Sequence, residues 1–469
     1  MTLPTPPRAL LLSTYELGRQ PFALASPAAW LRRAGWDVDC VDLSKDKLRE
    51  SAVASADFIA VHLAMHMATR MAGPVIARAR QLNTAVRICA YGLYAPLNEA
   101  WLRSLGVTDV LGGEFEEDLV ALAGARGAGL QTCPPAGLKT RATPVPRLQF
   151  IVPDRAGLPP LARYARLLMP DGAEKIVGST EASRGCKHLC RHCPVVPVYQ
   201  GQFRVVQPEV VLADVDAQVG AGAQHITFGD PDFFNGPTHA MRIVEAMHAA
   251  HPAVTYDVTI KIEHLLNHRD LLPALAATGC SFVTSAVEAV DDRMLARLEK
   301  GHTRADFVEA VALCRAAGVT LSPTFVAFHP WLSLEDYCTL LDTVEELDLV
   351  DHVAPIQLAI RLLIPNGSRL LELQDVQERL EGFDPVTLTY RWVHPDPRVE
   401  ALQSEVMRLV GIRLTANRRD VFDEISTLAH ARAGMPRPAF ARAGAARVPY
   451  LSEPWYCCAE PNAEEVTLV

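Results

Sequence analysis

The chain has 469 residues, 49% hydrophobic and 21% charged, a globular rather than a disordered composition. Lys and Arg number 45 against 54 Asp and Glu, so the net charge of −9 argues against a general nucleic-acid binder or an anionic-membrane binder. No uncharged apolar run reaches the roughly 18 residues of a membrane span, and the opening MTLPTPPRALLLSTYELG has too short an apolar stretch for a signal peptide.

At about 150 residues per domain, the length predicts roughly three domains. Residues 1–130 alternate short apolar runs with amphipathic segments. Strands are expected at Ala9–Ser13, Val38–Asp42, Phe58–His62, Val86–Tyr91 and Val107–Leu111, with helices such as Pro27–Ala34 and Thr69–Gln81 between them. That alternation predicts an α/β fold built on a doubly wound parallel sheet, which binds ligands beyond the carboxyl ends of its strands. Residues 131–174 are rich in Pro, Gly and basic residues and read as a connector. Alternation resumes over 175–375. Strands are expected at Ile176–Thr180, His225–Gly229, Thr255–Ile260, Phe282–Val287, Val319–Phe328 and His352–Ile360. Six βα units in series predict a partial (β/α)6 barrel, with its chemistry on the loops that follow the strands. Residues 376–469 are expected to be mainly helical (Asp396–Leu409, Asp420–Ala433), ending in an irregular tail.

Eleven Cys is an odd number in a long chain, which points away from a disulfide scaffold and toward metal or redox chemistry. Three of them stand in EASRGCKHLCRHCP as Cys186, Cys190 and Cys193, directly after the first barrel strand. Three thiolates within eight residues reach one metal centre, and soft thiolates suit iron–sulfur or zinc. Structural zinc would need a fourth ligand, with His188 or His192 at hand. Three Cys on a 4Fe–4S cluster instead leave one iron open.

Cys-x3-Cys-x2-Cys after the first strand of a six-fold βα barrel resembles the radical S-adenosylmethionine (SAM) enzymes. The resemblance implies that the open iron chelates SAM and that one electron cleaves it to a 5′-deoxyadenosyl radical. It also implies further SAM-site residues. Gly229, Asp230 and Asp232 in HITFGDPDFFN follow the second strand, where the SAM amino group is held. Lys261 follows the third strand, and Glu288 ends the fourth, where an acidic residue meets the SAM ribose. The residue before the third Cys is usually aromatic; here it is His192. An oxygen-sensitive cluster implies a reducing cytoplasm and an electron donor such as flavodoxin or ferredoxin.

A doubly wound domain before such a barrel resembles the cobalamin-binding subgroup. Tyr91-Gly92 and Gly112-Gly113 follow the last two strands, where glycine lets backbone approach a large flat cofactor. Many cobalamin proteins carry Asp-x-His-x-x-Gly after the first strand. This chain has Ser13-Thr-Tyr15-Glu-Leu-Gly18, with Tyr15 at the His position, so cobalamin would be held without His ligation. His62 and His66 follow the third strand and are expected near the same cleft.

The tail carries Cys457-Cys458-Ala-Glu-Pro461, resembling a subgroup of these enzymes named for a Cys-Cys-Ala-Glu-Pro ending. A soft, nucleophilic pair implies metalloid binding, a thiol relay or a substrate adduct. The leading expectation is a cobalamin-dependent radical SAM methyltransferase for a small-molecule substrate, acting on neither nucleic acid nor membrane. The alternatives are a radical rearrangement or alkyl transfer to a soft atom held by the Cys pair, a non-catalytic cobalamin or metal sensor, and a structural zinc protein.

Overall fold

The computed structural model describes residues 5–125, 148–413, 416–440 and 448–453. Cys457 and Cys458 lie outside the described residues.

Five parallel strands form the first sheet: β1 (Arg8–Ser13), β2 (Asp37–Asp42), β3 (Phe58–His62), β4 (Arg87–Tyr91) and β5 (Asp109–Leu111), in the order β2-β1-β3-β4-β5. The order reverses at β1 and β3, which pair in register from Ala9 with Phe58 to Ser13 with His62. Successive residues of β1 and β3 feed two cores. Leu10, Leu12, Ile59 and Val61 pack on one face, and Ala9, Leu11, Phe58 and Ala60 on the other. Burial on both faces explains the nearly continuous apolar runs. A ligand crevice is expected beyond the carboxyl ends of β1 and β3, where the winding changes direction.

The second sheet has seven strands. They are β6 (Arg166–Leu168), β7 (Glu174–Thr180), β10 (His225–Phe228), β11 (Thr255–Thr259), β12 (Cys280–Glu288), β13 (Leu321–Phe325) and β16 (Tyr450–Leu451). Between β7 and β10 lies a small hairpin of β8 (Ser183–Gly185) and β9 (Phe203–Val205); a second hairpin, β14 (Leu380–Asp384) and β15 (Thr389–Trp392), follows the barrel. Strands β7, β10, β11, β12 and β13 are mutually parallel, as a half-barrel requires. Helices Pro208–Gly220, Pro237–Ala250, Arg304–Ala316 and Leu334–Glu346 cover the outside.

Three details depart from the sequence expectation. The sixth barrel strand, expected over His352–Ile360, is absent among the described residues. Two short helical turns (Val350–His352, Pro355–Leu358) take its place, and only a Phe328–Arg361 bridge continues the sheet. Pro355 brings no N–H to a ladder and opens one of those turns instead. The mainly helical carboxyl-terminal region also contains the β14–β15 hairpin. Its tail pairs antiparallel with β6, Tyr450 with Leu168 and Leu451 with Leu167, so chain expected to be connector and irregular tail forms one edge of the barrel sheet. Arg155 fastens the connector. It donates to Asp214 at 2.8 Å, to Ser179 O at 2.6 Å and to Gln20 at 2.9 Å, which ties the barrel to the first domain.

Candidate active site

The carboxyl ends of both sheets open onto one cavity of about 320 Å³. Cys186, Cys190 and Cys193 all line it. They are free thiols, and Cys193 N–H donates to Cys190 O at 3.2 Å in a tight turn. Gly185 sets the turn into Cys186. Its φ is +74°, and a Cβ there would lie 2.4 Å from the Tyr199 ring and 2.5 Å from Gln202 O, so only glycine fits. Neighbouring loops hold the segment. Lys187 N–H donates to Asn235 Oδ1 at 3.3 Å, Asn235 Nδ2 donates to Gly185 O at 3.3 Å, and Arg191 N–H donates to Leu298 O at 2.9 Å. Three soft donors on one fixed loop fit an iron–sulfur cluster. The buried Lys300 ammonium, which also lines the cavity, supplies positive charge toward Cys190 and Cys193.

Glu288, at the end of β12, has a left-handed φ of 72°, unusual for a residue with a side chain. Its carboxylate accepts from His192 Nε2 at 2.9 Å and from Lys300 Nζ at 3.4 Å. Burial alone would raise its pKa, but Lys300 and His192 outweigh it and hold the group at about 2. A fixed anion therefore stands in the cavity wall beside the third Cys, tied to the cluster loop through His192.

The segment after β10 divides in three. Gly229 lines the cavity, and its N–H donates to Thr180 O at 2.8 Å. Asp230 lines it too, but its carboxylate braces the loop after β7, accepting from Ala182 N–H at 2.9 Å and Ser183 Oγ at 2.6 Å. Burial lifts its pKa to about 7, against the pull of the Ser183 hydrogen bond. Asp232 does not line the cavity. It caps the turn Phe233–Asn235 through Phe234 N–H and stands 2.8 Å from His264 Nδ1. Lys261 lines the cavity, its Nζ 3.3 Å from Glu263.

From the first domain, Gly92 and Gly113 line the cavity. A Cβ on Gly92 would stand 2.8 Å from the His62 ring, so this turn presents bare backbone. Tyr91 does not reach the cavity. It is fully buried, and its hydroxyl donates to Ala23 O at 2.7 Å. Tyr15 and Gly18 also lie outside the lining. The Tyr15 hydroxyl donates to Glu453 of the tail at 3.0 Å, and Gly18 sits against the same carboxylate. Glu16 and Leu17 of that loop line the cavity, as does Arg19 just after it; the Glu16 pKa is raised to about 8 by burial and by the Glu181 charge. His62 lines the cavity 3.6 Å from Glu16, and burial and Arg184 lower its pKa to about 3. His66 is buried elsewhere.

Sequence reasoning did not single out Glu16, Arg184, Asn235 or Lys300 for this site. Lys300 follows Glu288 by twelve residues, too far for the spacing to pair them. Asn235 stood within the flagged segment after β10. Arg184 is a buried cation shared by Glu116 at 2.7 Å, Glu181 at 2.7 Å and Glu114 at 3.3 Å. Its partners come from two domains, so no local spacing announces them.

Residues 180–345 match the radical SAM superfamily. They are a radical SAM domain. The cofactors of a radical SAM domain are a 4Fe–4S cluster and SAM. Curated relatives include a tRNA-2-methylthio-N(6)-dimethylallyladenosine synthase of Desulfosudis oleivorans, 25% identical over 189 residues, 37% of this chain and 38% of that protein. A synthase of the same name from Chlorobium chlorochromatii is 26% identical over 227 residues, 45% of this chain and 49% of that one. The chain thus spans less than half the length of these relatives. Among solved structures, the cobalamin-dependent SAM radical enzyme OxsB matches 91% of this chain and 71% of its own, with TM-score 0.68 and 15% identity. The radical SAM methyltransferase TsrM from Kitasatospora setae matches 78% and 75%, with TM-score 0.58 and 18% identity. These likenesses extend through the first domain and show the fold of the two-domain arrangement. No helix among the described residues is long and apolar enough to cross a membrane.

Proposed function

We propose that this protein is a cobalamin-dependent radical SAM methyltransferase acting on a small molecule. The observation that carries the reading is the shared cavity. The three cysteines of the radical SAM domain and the glycine turns of the first domain, Gly92 and Gly113, line the same space. Two cofactors bound there would face one substrate. The cluster supplies the electron that cleaves SAM, and cobalamin carries the methyl group; the protein holds both and excludes water.

The chain's own residues take distinct parts. Cys186, Cys190 and Cys193 hold the cluster. Glu288, kept anionic by Lys300 and His192, accepts hydrogen bonds from the SAM ribose. Gly229 presents backbone, and Lys261 a cation, to SAM from the next two loops. Gly92 and Gly113 give cobalamin a flat approach, with the His62 ring against Gly92 and Glu16 in the wall of the same cavity. The net charge of −9 supports a small-molecule substrate over the tRNA named for the curated relatives. Cys457 and Cys458 would serve alkyl transfer to a soft atom or a thiol relay, as a soft, nucleophilic pair suits.

The test is anaerobic reconstitution with iron, sulfide and hydroxocobalamin, followed by absorbance and metal analysis. About four irons and one cobalt per chain support the reading. Iron without cobalt removes cobalamin from it, and zinc in place of iron overturns it.

A further inference from the structure

Three consecutive barrel loops converge at a second cluster of ligand-type side chains, one of which, His188, stands between Cys186 and Cys190 on the cysteine loop. His188 comes from the loop after β7, Asp232 from the loop after β10, and His264 from the helix Ile262–Asn267 after β11. One donor atom from each lies within 4.8 Å of the other two. The Nε2 atoms of His188 and His264 face each other at 3.1 Å. Asp232 Oδ2 stands 2.8 Å from His264 Nδ1 and 3.8 Å from His188 Nε2.

We propose that His188, Asp232 and His264 form a divalent-metal site, additional to the iron–sulfur site, with its open coordination position toward the main cavity. Asp232 is 0% exposed and His264 2%, so water does not satisfy them. Asp232 Oδ2 and His264 Nδ1 are close, yet neither makes a hydrogen bond of acceptable geometry. A carboxylate carries only acceptors, and a neutral imidazole has one donor for two nitrogens. The group is therefore rich in lone pairs, and a cation supplies what it lacks. The other His188 nitrogen, Nδ1, lies 3.6 Å from Glu263, the outer carboxylate that metal-bound histidines commonly have. Bonds of about 2.0–2.2 Å at tetrahedral or octahedral angles place neighbouring donors roughly 3.0–3.4 Å apart. Each imidazole offers the ion one nitrogen; His188 Nε2 stands 3.8 Å from Asp232 Oδ2, and the three donor atoms, one per residue, lie within 4.8 Å of one another, so a shift of about an ångström brings them to that spacing.

Two imidazoles and one carboxylate suit zinc, ferrous or cobaltous ion over magnesium or calcium. Three protein ligands leave at least one position open, as in catalytic rather than structural zinc sites. His188 lines the main cavity, so that position would receive a carboxylate or hydroxyl oxygen of the substrate. This site does not depend on the methyl-transfer reading.

The probe is zinc. The full chain, reconstituted with its cluster, receives one equivalent of Zn2+, is desalted, and is analysed for zinc and iron together. Zinc K-edge absorption on the same sample reads the ligands without any variant. The expected result is one zinc per chain with nitrogen and oxygen neighbours, kept in C457S/C458S. In His264→Ala and in the gentler His264→Gln, zinc retention falls at least tenfold while iron content holds. No retained zinc overturns the proposal. So does zinc with sulfur neighbours, or zinc indifferent to both His264 variants.

Discussion

Arg184, two residues before Cys186, donates to Glu116 of the first domain at 2.7 Å, with both side chains buried. One guanidinium thus joins the cluster loop to the sheet domain. Glu114 and Glu181 share it, so three carboxylates depend on one cation. Burial pushes Glu114 and Glu181 toward protonation, whereas for Glu116 Arg184 outweighs burial and lowers the pKa. The Arg184 side chain also stacks against Phe22, Phe115 and Phe150, which come from both sides of the interface.

Arg184→Met keeps much of the apolar stem and strands these carboxylates. Breaking a buried pair in this way costs about 3–5 kcal/mol. Urea unfolding followed by tryptophan fluorescence should lose that much stability and separate into two transitions as the domains uncouple. A single transition at the original midpoint would show that Arg184 does not hold the interface.

Glu288→Gln removes the anion between His192 and Lys300 and leaves a buried ammonium without its charge partner. A lost charge-assisted hydrogen bond of about 1.5–3 kcal/mol corresponds to a SAM Kd raised roughly 10- to 100-fold. Isothermal titration of the cluster-loaded protein measures this. The pH dependence gives a second readout. The folded pKa of about 2 lies below the ordinary 4.5. Wild-type stability from this group is therefore complete above pH 4.5 and drains away as pH falls toward 2. Glu288→Gln should lack that part of the acid slope.

Gly185→Ala tests the turn that delivers Cys186. A Cβ would meet Gln202 backbone at 2.5 Å and the Tyr199 ring at 2.4 Å, and the φ of +74° disfavours any side chain. The loop must shift, and the first thiolate moves with it. Reconstitution should yield well under half the wild-type iron and absorbance near 400 nm, while far-ultraviolet circular dichroism stays close to native. Full iron loading would mean that the cluster loop tolerates the displacement.

The strands of the first sheet were legible because burial on both faces writes continuous apolar runs such as ALLL in β1 and FIAV in β3. The cysteine loop was legible because its three donors are close in sequence. The expected sixth strand failed because apolar composition over His352–Ile360 serves two short buried turns equally well, and Pro355 favours them. Tyr15 and Glu16 show the limit of motif matching. The spacing directs attention to Tyr15, but the backbone turns that hydroxyl to Glu453, 438 residues away, and Glu16 takes the cavity face. Long-range partners such as Glu453, or Arg184 with Glu116, leave no local pattern to read.

Glu16 carries the last prediction. Burial and the Glu181 charge raise its pKa from the ordinary 4.5 to about 8. The folded chain therefore keeps a proton that the unfolded chain releases above about pH 4.5. Stability falls as pH climbs from 4.5 toward 8, because the folded state binds the extra proton throughout that window. Glu16→Gln removes the titration, so its Tm should exceed that of the wild type by a margin that widens from about pH 5 to pH 8 and levels off above. Tyr15→Phe is the contrast. It removes only a hydroxyl that points at the tail, so it should leave the spectrum of bound hydroxocobalamin unchanged, while Glu16→Gln shifts it. Parallel pH–Tm curves for wild type and Glu16→Gln would place the Glu16 proton in water rather than on the cavity wall.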